Sequence, residues 1–119
     1  PNAPSAIGPY SQANALDNLI FTSGQIGLIP ATGELAGGDI QTQTRQALNN
    51  LKAILEEAGS GMDKVLKTTV LLSDIANFTP MNEVYAEFFS ADGYPSRSAF
   101  QVGALPKGAL VEIEAIAYK

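Results

Sequence analysis

Apolar and polar positions alternate through the last stretch of the chain. Val111, Ile113, Ala115 and Ala117 fall on one side, while Leu110, Glu112, Glu114, Ile116 and Tyr118 fall on the other. A period of two is that of a strand with one buried face. The preceding run, Pro95 to Val102, is also strand-like, and Leu105-Pro106-Lys107-Gly108 between the two reads as a turn. The pattern thus predicts a terminal hairpin. Val65 to Leu72, rich in β-branched and apolar residues, predicts a further strand. Near the start, strands are expected around Ser11 to Ala15 and Leu19 to Ser23, joined through Leu16-Asp17-Asn18, with a third over Gln25 to Ile29 that stops at Pro30.

Two segments change period. Ile40, Ala47, Leu48, Leu51, Ile54, Leu55 and Ala58 recur at spacings of three and four, with Thr44 filling the remaining turn. Asp39 is placed to cap this helix and Gly59 to stop it. Thr79-Pro80 marks a second helix start, because proline suits the first turn. Met81, Val84, Tyr85, Phe88 and Phe89 form its apolar face and leave Glu83 and Glu87 in water. Pro1 to Pro9, with three prolines and no periodicity, reads as an arm. The order β-β-β-α-β-α-β-β predicts a single α+β domain over residues 1–119, with both helices on one face of a mixed sheet. The opposite face carries Glu112 and Glu114 beside Leu110 and Ile116, so it is expected to pack on another subunit.

Composition narrows the chemistry. Of the 119 residues, 45% are hydrophobic and only 16% charged, which also points to buried surface beyond one small core. The net charge of −5, with five scattered lysines, disfavours a nucleic-acid or anionic-membrane surface. No apolar run spans the roughly 20 residues needed to cross a bilayer, and no basic-then-apolar signal opens the chain, so a cytoplasmic location is expected. Neither histidine nor cysteine occurs. Ser-His and Cys-His triads and thiolate or imidazole zinc sites are therefore excluded, and no metal-ligand spacing appears, so no metal is expected.

What remains are carboxylates, hydroxyls, backbone groups and arginine. Arg97 is one of only two arginines and, like Glu112, sits inside a strand. An unpaired buried charge costs several kcal/mol, so each ion needs a partner. One reading is a pocket where the guanidinium holds a small carboxylate in bidentate fashion. The other is an ion pair of Arg97 with Glu112 or Glu114 that fixes register or an interface. If the hairpin sets Gln101 opposite Glu112, Arg97 and Glu112 share a face.

Other positions are weaker signals. Tyr10 follows the stiff Gly8-Pro9 bend and either packs or is held for a ligand. Gly24, in Ser23-Gly24-Gln25, either admits a close approach or forms a bulge. Asn82, in the first turn of the second helix, either caps it or reaches a ligand. Glu56-Glu57 and Glu83/Glu87 read as solvated surface, and Gly59 to Lys64 as a turn rather than a phosphate loop.

Taken together, AIGPYSQA (Ala6–Ala13), FTSGQIG (Phe21–Gly27), NEVYAEFF (Asn82–Phe89) and PSRSAFQVGALPKGALVEIEAIA (Pro95–Ala117) resemble the signatures of the RidA family (the YjgF group). The resemblance runs over essentially the whole chain. It implies a chorismate-mutase-like fold assembled as a homotrimer around a central β-barrel, with clefts between subunits. It also implies hydrolysis of enamine and imine acids, such as 2-aminoacrylate and 2-iminobutanoate, to 2-oxo acids and ammonia without a cofactor. The family's carboxylate-binding arginine falls on Arg97, its water-handling glutamate on Glu112 and its mobile tyrosine on Tyr10. Its Ser-Gly backbone pair falls on Ser23 and Gly24, and its cleft asparagine on Asn82. Ala99 stands where many members have cysteine, so any cleft contribution there comes from backbone. Rival expectations are an endoribonuclease or translation inhibitor, which the acidic charge disfavours, and a chorismate-mutase-type enzyme, for which cations are scarce. A non-enzymatic trimer that binds metabolites or acts as a chaperone is the remaining alternative.

Overall fold

The computed structural model of the chain describes residues 2–119; Pro1, the first residue of the expected arm, lies outside them. It contains one five-stranded sheet and two α-helices. Strands β1 (Ala13–Leu16) and β2 (Leu19–Thr22) form an antiparallel hairpin, with Asp17 at φ 55° in its tight turn. Helix α1 (Ile40–Glu57) follows a long loop. Then come β3 (Val65–Leu72), α2 (Phe78–Glu87), β4 (Ser96–Gln101) and β5 (Val111–Tyr118). The strands lie in the order β1-β2-β5-β3-β4.

Both helices cover one face. Leu48, Leu51 and Leu55 of α1, Met81 and Tyr85 of α2, and Val70, Leu72, Val111, Ile113, Ala115 and Ala117 of the sheet form one buried cluster. The expected alternation along β5 holds, with its odd-numbered residues buried. Asp39 caps α1 by accepting from the Thr42 N–H at 2.9 Å, which also lowers its carboxyl pKa. Gly59, at φ +88°, ends it: the Gly59 N–H donates to Glu56 O and the Ser60 N–H to Leu55 O, the paired bonds of a left-handed helix stop. Across the exposed surfaces of the helices, Arg45 pairs with Glu87 and the Gln41 amide donates to Glu83.

Three expectations are corrected. The last two strands do not form a hairpin. β3 lies between them, antiparallel to β5 and parallel to β4, and α2 supplies the crossover that a parallel pair requires. Residues 102–110 step over the end of β3, whose Leu72 O accepts from Val102 N. The apolar run of β3 is that of a strand flanked on both edges. Second, Gln25 to Ile29 is not a strand; it makes only isolated bridges, Gln25 with Ile113 and Leu28 with Leu35. The Asn50 side chain of α1 takes the Ile26 and Leu28 carbonyls instead, at 3.3 and 2.8 Å. Third, α2 begins at Phe78, led in by a 3-10 turn over Ile75–Asn77, and ends before Phe88 and Phe89, which still pack on the core.

The face away from the helices exposes Leu16, Phe21, Phe100 and Tyr118. Register places Phe21 beside Ile116, and Phe100 and Glu112 on either side of Leu71. Among the described residues no helix is long and apolar enough to cross a membrane.

Candidate functional site

The expected site residues fall into two groups. The first surrounds a cleft of about 440 Å³ whose lining includes Tyr10, Ser23, Gly24, Gln25, Glu112 and Glu114. β5 delivers Glu112 on its helix-free face. The bridge between Gln25 and Ile113, closed by backbone bonds of 2.8 and 3.0 Å, lays Gly24 against that glutamate. A Cβ at position 24 would stand 2.7 Å from Glu112 Cδ, so the carboxylate keeps this placement only while residue 24 is glycine. Burial raises the Glu112 carboxyl above the ordinary carboxylate value, and the neighbouring Glu114 charge adds to the rise.

Side-chain bonds fasten the N-terminal arm to this cleft. Ser23 Oγ donates to Ser11 O, and its N–H donates to Gln12 O at 2.8 Å. Buried Gln25 donates through Nε2 to Gln12 Oε1 at 2.8 Å, and Gln12 in turn donates to Pro4 O at 2.7 Å. Tyr10 thereby hangs at the cleft edge, 45% exposed, its hydroxyl accepting from Ile7 N at 3.4 Å.

The second group gathers around Arg97, in a hollow of about 430 Å³ lined by Asn82, Tyr85, Ala86, Tyr94, Pro95 and Arg97. Arg97 pairs in register with Thr68, which pairs on its other edge with Ala115, so the arginine lies on the helix side of the sheet. Arg97 Nη1 donates to Asn82 Oδ1 at 2.6 Å. Its guanidinium carbon lies 4.8 Å from the Tyr85 ring centre and 5.2 Å from that of Phe78. Asn82 therefore reaches the arginine rather than capping its helix. Ala99 packs against the core beside Val70, and its side chain lines neither hollow.

Two sequence readings are thereby decided within one protomer. Glu112 shares its face with Leu71 and Phe100, whereas Arg97 shares the opposite face with Thr68 and Ala115. The shared face inferred from a hairpin register does not exist within one protomer. Within one protomer Arg97 pairs with neither Glu112 nor Glu114; among the described residues the one ion pair is Arg45–Glu87.

Sequence reasoning missed Gln12, Gln25 and the site role of Phe78 and Tyr85. For the last two a signal was present. Phe78, Asn82 and Tyr85 are spaced by four and then three residues, which sets them on one helix stripe. Among the described residues, no group of His, Cys, Asp and Glu side chains could hold a metal ion. The arrangement offers a guanidinium with a free hydrogen-bonding edge and, elsewhere, a proton-avid carboxylate beside a hydroxyl.

The family model described as endoribonuclease L-PSP matches residues 1–119. A RutC family protein of Pyrococcus horikoshii is 56% identical over 118 residues, covering 99% of this chain and 93% of that protein. The human 2-iminobutanoate/2-iminopropanoate deaminase is 50% identical over 115 residues, covering 97% of this chain and 83% of its own length. Among solved structures, E. coli TdcF with bound serine matches with a TM-score of 0.92 at 45% identity, covering 99% of this chain and 94% of that one.

Proposed function

This chain belongs to the RidA family, the family of the endoribonuclease L-PSP model, and from that premise we propose that it hydrolyses small 2-imino acids to 2-oxo acids and ammonia. The observation that carries the reading is the division of the site: a ready guanidinium on one sheet face and a proton-avid carboxylate on the other. Each is half of a site that a second copy completes. The exposed apolar side chains of the helix-free face, Phe21, Phe100 and Tyr118 among them, supply the contact surface, and a homotrimer closes three such clefts by symmetry. In it, Arg97 and Asn82 of one protomer meet Glu112, Gly24, Ser23 and Tyr10 of the next.

The chemistry asks little of the protein. A protonated imine next to a carboxylate is already electrophilic. Arg97 holds the carboxylate through charged hydrogen bonds, each contributing about 1.5–3 kcal/mol. Glu112 takes a proton from water as the oxygen attacks the imine carbon, giving a tetrahedral carbinolamine. That proton passes to the nitrogen, and Glu112, ionised again, takes the hydroxyl proton as the C–N bond breaks, so the carbonyl forms, ammonia leaves and the proton from Glu112 departs with it as ammonium. General-base help of this kind is worth roughly 10²–10⁴-fold. Ser23 and Gly24 border the substrate with backbone groups, as does Ala99 from its strand, and Tyr10 closes the cleft against bulk water. No cofactor enters this sequence. Substrates and products are small soluble acids, which suits a cytoplasmic protein without nucleic-acid or membrane partners. Glu112 and Glu114 in the cleft repel a phosphate backbone, which favours this reading over ribonuclease action.

The test is ammonia release from 2-aminoacrylate generated by a serine dehydratase. The wild-type chain is expected to speed it, and Arg97→Ala to abolish the acceleration. Full activity in Arg97→Ala would refute the assignment.

A further inference from the structure

Arginine on a strand face packed beneath a helix is costly unless something other than water receives it. Here three residues of α2 do so, from a single stripe. Asn82 takes one guanidinium nitrogen, while the Phe78 and Tyr85 rings lie within cation–π range of its carbon, at 5.2 and 4.8 Å. Tyr85 is itself fixed. Its hydroxyl shares a 2.7 Å hydrogen bond with buried Thr68 Oγ1, and its ring centre lies 4.8 Å from that of Phe89. Thr68 is also the residue facing Arg97 across the β3–β4 pair. Thr68, Tyr85 and Arg97 thus close a circuit: strand register, hydroxyl bond and ring contact each fix the next. Burial raises the Tyr85 phenol above its ordinary value, so its ring remains neutral and presents an electron-rich face to the cation.

We propose that Phe78 and Tyr85 are positioning residues for the carboxylate clamp, an aromatic cradle that holds the Arg97 guanidinium extended before substrate arrives and leaves its unbonded nitrogens facing the hollow. The proposal rests on the reading of Arg97 as the carboxylate-binding group and deepens it. Neither ring touches the reacting atoms. Their action is to remove the freedom an arginine otherwise loses on binding, and to supply a partner for its flat face that does not compete for hydrogen bonds, as a carboxylate of the same protomer would. A lysine has no such flat face, so the cradle also accounts for arginine at this position.

The experiment measures kcat and KM for dehydratase-generated imine, together with calorimetric binding of 2-oxobutanoate, in Phe78→Leu, Tyr85→Leu, Tyr85→Phe and Arg97→Ala. Each leucine variant is expected to raise KM and weaken 2-oxobutanoate binding roughly tenfold, the range of a desolvated cation–π contact, with kcat nearly unchanged. Tyr85→Phe keeps the ring and is expected to restore most of the affinity. Phe78 is only half-buried, so Phe78→Leu keeps the test decisive if Tyr85→Leu does not fold. Wild-type KM in Phe78→Leu, or a fall in kcat without a change in KM, overturns the cradle. Retained 2-oxobutanoate binding in Arg97→Ala instead overturns the underlying assignment, so the two failures are distinguishable.

Discussion

Arg97 and Glu112 stand on opposite faces of one sheet, separated by β3. No side-chain rotation brings them together, because alternate strand positions point to opposite sides and the core fills the helix side. A protomer thus holds one cation and one carboxylate that cannot neutralise each other. Chemistry needing both requires two copies.

Mixed assembly follows directly. Arg97→Ala and Glu112→Gln are each expected to be inactive alone. Refolded together in equal amounts, they are expected to recover activity, because roughly a quarter of the clefts in a randomly mixed cyclic trimer pair an intact arginine with an intact glutamate. Ammonia release from the mixture, compared with both parents, checks this. A mixture as silent as its parents would place both groups within one chain's contribution, against the register of the sheet.

Two nearby glycines are expected to fail in different ways. A methyl at Gly24 meets the end of the Glu112 side chain, with Cδ at 2.7 Å, and that flexible carboxylate swings aside. Gly24→Ala is therefore expected to lower kcat/KM roughly a hundredfold by misplacing the base, with little change in stability. At Gly27 the methyl meets α1 backbone, Gln43 O at 2.6 Å and Cα at 2.9 Å, which cannot yield. Gly27→Ala is expected to cost about 1–3 kcal/mol of stability. Urea unfolding and steady-state kinetics on both variants separate the outcomes.

Local rules carried much of this structure in the sequence. Asp39, Gly59 and the stripe from Ile40 to Leu55 define α1 through capping and periodicity, which depend only on neighbours in the chain. The alternation in β5 likewise named its buried side. Strand pairing depends on distant residues. The segment Leu105–Gly108 makes a turn whether the next strand lies adjacent or one strand away, so its signal fits a hairpin and the observed step over β3 equally. That one pairing decided which face Arg97 occupies. Gln25 to Ile29 misled for a related reason: two of its carbonyls, Ile26 O and Leu28 O, are taken by Asn50, more than twenty residues away, rather than by a neighbouring strand. Tyr85 was legible as core but not as a support for Arg97, since its ring serves both.

In the proposed mechanism Glu112 is expected to set the acid limb of the rate profile. It acts as a base only when ionised, so activity is lost as pH falls through its pKa, and burial places that loss above the ordinary carboxylate range. Glu114, beside it on β5, pushes the same way. Glu114→Gln is accordingly expected to shift the acid limb of kcat/KM to lower pH. The stability sign runs oppositely to that of a salt-bridged acid. The folded state holds this proton more tightly than the unfolded chain, so ionisation at neutral pH costs stability. Glu112→Gln is expected to unfold at equal or higher urea concentration than wild type at neutral pH, with the difference vanishing in acid. An acid limb unmoved by Glu114→Gln would contradict this account.

Asn50 holds the cleft floor from behind. It is fully buried in α1, accepts from Gln46 Nε2 at 2.9 Å, and gives its own amide hydrogens to Ile26 O and Leu28 O. Ile26 O also accepts from Leu28 N at 2.8 Å, but among the described residues the buried Leu28 O has Asn50 as its one donor, and no water reaches it to replace that bond. Asn50→Leu is expected to destabilise the protein by about 1–3 kcal/mol, the cost of the buried Leu28 carbonyl left unpaired rather than of lost volume. Exchange of the Gln25 amide, which bonds Ile113 O at 2.8 Å, is expected to accelerate with it, because freeing residues 26–28 loosens the bridge to β5. Exposed Gln41, on α1 like Asn50 but bonded to Glu83 of α2, provides the contrast: Gln41→Ala is expected to change stability by less than about 0.5 kcal/mol and to leave that exchange unaltered. Hydrogen exchange and urea unfolding on the two variants measure both effects. Equal behaviour of the pair would show that α1 positions the cleft by apolar packing alone.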